Sequence, residues 1–222
     1  MTRQIAIGVI IGIFIGVTIG LLNSKIVWLS APAGAATVVE EWSTVRPESP
    51  PMLKAATVDP KTTALMVMDI VKGSCNEQRR PRCVASIPAI SNFINQARAK
   101  GMPVITTVAG SGGVPDILPD VAPKTGEKIL TGTIANKFIR TDLEKTLRDK
   151  GITTVILVGT AAHGAVLYTA SEAAFLKFNV IVPIDGASSE NLFAEQAVAW
   201  LLANAPGVAQ QTTLTKLDMI KF

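Results

Sequence analysis

Residues 137–189 read KFIRTDLEKTLRDKGITTVILVGTAAHGAVLYTASEAAFLKFNVIVPIDGASS, and the order of elements in this stretch decides the fold. Thr141-Asp-Leu-Glu144 has the spacing of a capping box, opening a helix through Lys150, with Gly151 as its C-cap. Thr154 to Val158 is a short run of apolar and β-branched residues, hence a buried strand. An Ala-rich helix is expected over Gly164 to Lys177, and a further strand over Val180 to Ile184. Strand, helix and strand in immediate succession, with strands apolar on both faces, describe a parallel unit covered by helices on each side.

The same alternation continues outward. Upstream, Ala64 to Met68 is an apolar strand ending in Asp69, and Val84 to Lys100 is a helix stopped by Gly101. Val104 to Val108 is a second strand and Lys128 to Leu130 a short third one. Downstream, Glu190 to Ala203 is a helix and Thr212 to Leu217 a last edge strand. The expected fold class is α/β: a three-layer α/β/α domain with a mainly parallel sheet over residues 61–222. In such sheets ligands bind beyond the C-terminal ends of the strands. That directs attention to Asp69 and to the turn after Gly159.

The 222-residue chain is 48% hydrophobic and only 17% charged. This excludes disorder along most of its length, and a length near one domain excludes a many-span transporter. Part of the apolar excess is the uncharged run Ile5 to Leu22, IAIGVIIGIFIGVTIGLL. As a helix it would rise about 27 Å, close to the roughly 30 Å hydrocarbon core. Residues 1–25 are expected to be a single transmembrane anchor; a cleaved signal peptide, with Ala33-Gly34-Ala35 as the cut site, is the alternative. Gly8, Gly12, Gly16 and Gly20 repeat GxxxG three times in register, so one helix face is open to close packing against itself or another membrane subunit. Arg3 on one side and Lys25 on the other lean weakly toward a cytoplasmic N-terminus. The location expected is the cell inner membrane, single-pass, with the C-terminal domain in the periplasm. Residues 26–60, rich in Pro and Ala, read as a linker.

The two cysteines, Cys75 and Cys83, bracket the polar loop CNEQRRPRC. Seven intervening residues allow a disulfide, which an exported domain would favour; two free thiols, or Cys75 as a nucleophile among arginines, are the other readings. A net charge of +4 without aromatic interleaving is no nucleic-acid signature. One histidine and scattered carboxylates offer no metal-ligand spacing. No metal and no cofactor are expected.

The order ALMVMD, then residues 137–175, then FNVIVPIDGASS resembles the isochorismatase-like cysteine hydrolases, over roughly Thr62 to Phe222. The motifs carrying the likeness are F-x-x-T-x-L at Phe138, the L-V-G turn at Gly159, A-x-x-A-F before Leu176, and the D-A-x-A-S-like end at Asp185. The resemblance implies hydrolysis of amides, ureido groups or nitriles by an Asp, Lys and Cys triad. It places the Asp at Asp69. Counting six back from Phe138 puts the Lys position at Gly132, with Lys128 and Lys137 near but out of register. Counting six on from Gly159 puts the Cys position at Ala165. Members that are true isochorismatases lack the Cys and hydrolyse a vinyl ether, with the Asp as acid. They carry an Ala-His pair where this chain has Ala162 and His163, which makes His163 a candidate beside Asp69. With Gly132 and Ala165 both empty, the expectation is a catalytically inactive, membrane-anchored accessory or structural subunit of a membrane complex. The alternative is an active tethered hydrolase of a small amide or vinyl ether, whose small-molecule substrate stays open.

Overall fold

The computed structural model describes residues 37–222. The expected anchor and its glycines, Gly8, Gly12, Gly16 and Gly20, lie outside the described residues. No helix among the described residues is long and apolar enough to cross a membrane. The chain divides into two units, Met1–Pro47 and Glu48–Phe222. In the first, the described part holds one short helix, α1 (Val38–Glu41), and its Val38, Val39, Trp42 and Val45 are all exposed.

The second unit is built on a seven-stranded sheet. In chain order its strands are β2 (Thr63–Met68), β3 (Val104–Ala109), β4 (Lys128–Thr133), β5 (Thr154–Thr160), β6 (Asn179–Pro183), β7 (Ala187–Ser188) and β8 (Thr212–Thr215). They are arranged β4-β3-β2-β5-β6-β8, with the short β7 continuing alongside β5, and every ladder is parallel. Two strands, β2 and β5, pair centrally from Thr63↔Thr154 to Met68↔Gly159. Both are apolar on both faces, as the sequence requires of the middle of a parallel sheet.

Alternate residues of these strands feed two cores. Met66, Met68, Val155 and Leu157 pack with α3 (Leu143–Asp149), α4 (Leu167–Phe175) and α5 (Leu192–Asn204). Leu65, Val67, Ile156 and Val158 pack against Ile87, Ile90 and Ile94 of α2 (Pro81–Ala99). The three-layer α/β/α expectation stands, and β8 is the edge strand it was read to be.

No capping box forms at Thr141. Its hydroxyl accepts from the Leu143 amide at 3.2 Å and donates to the Lys137 carbonyl at 2.6 Å, while Glu144 turns to Arg148 at 3.5 Å. The third strand runs on to Thr133 instead of stopping at Leu130. The helix expected from Gly164 begins as a wide π-helical turn, Ala162–Val166, before α4. Residues 48–60, read as linker, belong to the compact unit. The Lys54 amide donates to the Leu214 carbonyl at 2.9 Å, which occupies the edge strand β8. β1 (Ala56–Thr57) pairs with β9 (Ile220–Lys221). Prolines gave this strap the composition of a stalk, but its Lys54 and Val58 amides donate to the domain.

Gly159 is where β5 meets the site. Its φ is +127°, and a Cβ there would lie 2.1 Å from the Met68 carbonyl oxygen. Gly159→Ala is therefore expected to cost more than about 3 kcal/mol, through strain and a backbone clash. Urea unfolding checks this; a variant within about 1 kcal/mol of the parent would contradict the close approach.

Candidate active site

Asp69 ends β2 with a positive φ of 53°, a conformation that L-residues rarely hold. Its amide donates to the Thr107 carbonyl at 3.1 Å, its Oδ1 accepts from Thr107 Oγ1 at 2.7 Å, and its own carbonyl accepts from Ser74 Oγ. The other carboxylate oxygen, Oδ2, accepts from Lys137 Nζ at 2.6 Å. The two residues are buried, Lys137 at 0% exposure and Asp69 at 6%.

Lys137 lies in the loop between β4 and α3, and its backbone is fixed on both sides. Its amide donates to Thr169 Oγ1 at 3.2 Å, and its carbonyl accepts from Thr141. Besides Asp69, Nζ donates to Thr133 Oγ1 and to the Ile134 carbonyl, each at 2.9 Å. Three ammonium protons therefore meet three acceptors. Burial lowers the Lys137 pKa; the charge and hydrogen bond of Asp69 pull it back only in part, so it stays below the ordinary lysine value.

This corrects the reading of Gly132 as the vacated lysine position. Gly132 is exposed on β4 with φ of +65°, whereas Lys137, rejected on residue counting, is the lysine that reaches Asp69. The signal was present, because Lys137 is the only cation between Gly132 and Phe138. A fixed offset from Phe138 assumes one loop path, but a lysine stem reaches the same point from a different Cα. Ala165 is buried in the π-helical turn, and its methyl group supplies no nucleophile.

His163 lies in the same turn. Its Nδ1 is 2.8 Å from Ser189 Oγ and 3.7 Å from Glu190 Oε2, and its side chain is 48% exposed. Across the strand ends, Cys75 and Cys83 are joined, with Cα atoms 5.4 Å apart, so Cys75 is no free nucleophile. Arg80, between them, is buried and donates to the Ser74 carbonyl and to Glu190. Burial raises the Glu190 carboxyl pKa; the hydrogen bond and charge of Arg80 and the charge of His163 outweigh that and hold it below the usual carboxylate range. Among the described residues, no three His, Cys, Asp or Glu side chains gather as a metal site. A cavity of about 370 Å³ lies away from this chemistry, between Glu48–Lys54 and the α5–β8 side around Trp200.

A family model described as Isochorismatase domain matches residues 63–215, more than half of the chain. The chain belongs to the isochorismatase family. It is 30% identical over 118 residues to a protein of Verticillium dahliae named secreted isochorismatase effector Isc1, which aligns with 49% of this chain and 62% of that protein. The chain therefore spans less than two thirds of that relative's length. It is 26% identical over 158 residues to the uncharacterized isochorismatase family protein YwoC of Bacillus subtilis, covering 62% of this chain and 84% of YwoC. Among solved structures, an isochorismatase family protein from Desulfovibrio vulgaris superposes with a TM-score of 0.64 at 22% identity, covering 71% of this chain and 95% of its own. The N-carbamoylsarcosine amidase of Thermoplasma acidophilum superposes at 0.61 and 20% identity, covering 71% and 97%. These structural likenesses establish the isochorismatase fold.

The buried pair yields a stability prediction. Lys137→Met strands the Asp69 carboxylate without its cation, at an expected cost of about 3–5 kcal/mol. Adding Asp69→Asn should recover most of that loss. Urea titration of both variants reads it; a single variant costing under about 1 kcal/mol would mean the two charges are not held together in solution.

Proposed function

We propose that this chain is a hydrolase of the isochorismatase type that works without a cysteine nucleophile, tethered to a membrane by the Ile5–Leu22 segment. The observation that carries the reading is the 2.6 Å contact between Lys137 Nζ and Asp69 Oδ2, beside a turn where Ala165 offers only a methyl group. Acyl transfer through a thioester or ester intermediate needs a thiol or hydroxyl that this turn lacks. Hydrolysis of a vinyl ether does not. In such a substrate a terminal methylene carbon is double-bonded to the carbon that bears the ether oxygen, and the methylene carbon takes the proton. The oxocarbenium ion adds water, and the resulting hemiketal expels the alcohol, leaving a methyl ketone. The Asp69–Lys137 pair delivers the proton and regains one from the added water, so one water is consumed per turnover. Lowering of the Lys137 pKa by burial suits it to that exchange.

A second reading keeps the fold but not the chemistry: an inactive accessory subunit. Its specific support is the closed bonding of the pair, in which Lys137 spends all three protons within the protein and Thr107 covers Asp69 Oδ1. Under either reading the Gly8, Gly12, Gly16 and Gly20 face would meet a second copy or a membrane subunit, and the domain would lie in the periplasm.

One measurement separates these readings, and a second tests the anchor they share. With vinyl ethers of small acids as substrates and ketone release as the signal, Asp69→Asn should reduce kcat/KM at least about 100-fold. No turnover by the parent across that panel would favour the accessory reading. Deleting residues 1–25 should move the protein from the membrane pellet to the supernatant. Unchanged partition would remove the anchor from the proposal.

A further inference from the structure

We propose that Arg80 is a positioning residue: the Cys75–Cys83 loop holds it where it fixes the Glu190 carboxylate beside His163. A continuous set of contacts runs from one side of the site to the other. Ser74 Oγ donates to the Asp69 carbonyl, and Arg80 Nη1 donates to the Ser74 carbonyl at 3.2 Å. The other arm of the guanidinium, Nη2, donates to Glu190 Oε1, while Glu190 Oε2 lies 3.7 Å from His163 Nδ1. A parallel link reinforces it. Arg82 Nε donates to Glu195 Oε1 at 2.8 Å, and that oxygen accepts from the Ser189 amide at 2.9 Å, while Ser189 Oγ meets His163 Nδ1 at 2.8 Å.

Arg80 differs from an ordinary surface cation, being only 6% exposed. An exposed ion pair restrains little, but a buried guanidinium fork has few alternative places to go. The joined cysteines flank it, so the loop that carries it has a closed path. The charged group in contact with His163 is Glu190, which follows β7; Arg79 and Arg80 of the loop lie on the far oxygen of that carboxylate, and Glu195 of α5 acts through Ser189. Ser189 Oγ and the Glu190 carboxylate both lie on the Nδ1 side of the ring, and no described residue hydrogen-bonds Nε2. His163 thus presents Nε2 with a defined orientation.

The inference rests on reading Asp69, Lys137 and His163 as one working site, yet its test does not need turnover. His163 is the only histidine, so NMR of its imidazole gives one unambiguous signal. In the parent, Glu190→Gln removes the carboxylate 3.7 Å from Nδ1 and should move that imidazole signal measurably at fixed pH. In an Arg80→Met background, and separately in Cys75→Ala/Cys83→Ala, the same substitution should shift it by less than about a third as much. An equal shift in all three backgrounds, or no shift in the parent, overturns the proposal. Near-UV circular dichroism checks that each background is folded. Should Arg80→Met fail to fold, the cysteine pair, which retains Arg80, decides. Coupling without turnover would remove the hydrolase reading and leave this one standing. Turnover that depends on Asp69, without coupling, would remove this one alone.

Discussion

Two opposite charges are buried at the end of β2, and much of the site is arranged to make that tolerable. Taking a carboxylate and an ammonium out of water costs several kcal/mol each, and their attraction offsets this only with close geometry and full hydrogen bonding. Both conditions are met. Asp69 receives Thr107 on one oxygen and Lys137 on the other, and Lys137 places its remaining protons on Thr133 and Ile134. Those partners come from β3, β4 and the loop leading to α3, so the pair draws three neighbouring segments to one point. Thr169 of α4 joins them through the Lys137 amide. The positive φ of Asp69 fits this picture, since it turns the side chain out of the regular strand alternation toward Thr107 and Lys137.

Most of the fold was legible because a parallel sheet writes itself as continuous apolar runs between amphipathic helices. ALMVM at 64–68 and TVILV at 154–158 admit little else, and Asp69 stood out as the polar residue closing the first run. What escaped had a common cause: motif counting measures residues, and the site measures space. Lys137 sits five residues after Gly132, yet its buried side chain performs the contact that the counting assigned to Gly132. Likewise Thr141 has the capping-box spacing, but the helix starts after Asp142, and the Thr141 hydroxyl takes the Leu143 amide in place of the Glu144 amide. The strap at 48–60 was misjudged on composition, because Pro and Ser describe its side chains and not where its amides donate.

The corrected lysine changes the chemistry more than the fold. With Gly132 in that role, two of three positions were empty and the domain read as a remnant. With Lys137 in place, only the thiol is missing, at Ala165. On the proposed reading, a site in which this pair carries the proton and no thiol is present is suited to reactions in which water adds to a cation formed by protonation. It is unsuited to those passing through a thioester. Loss of a nucleophile alone therefore does not argue for loss of catalysis.

The disulfide connects this site to the proposed location of the domain. A bond between Cys75 and Cys83 persists where the compartment is oxidising and gives way to thiols where it is reducing. Under the proposed topology the domain stands on the oxidising side of a membrane, so the loop keeps its closed path and Arg80 its place on Glu190. In a reducing compartment the same sequence would carry two buried thiols and a longer free loop, leaving Arg80 fewer constraints. The apolar N-terminal run and the basic loop, which share no residues and read as separate oddities of the sequence, then bear on one outcome. On that proposal, the side of the membrane on which the domain stands decides whether the contacts that run from Asp69 through Arg80 and Glu190 to His163 are held.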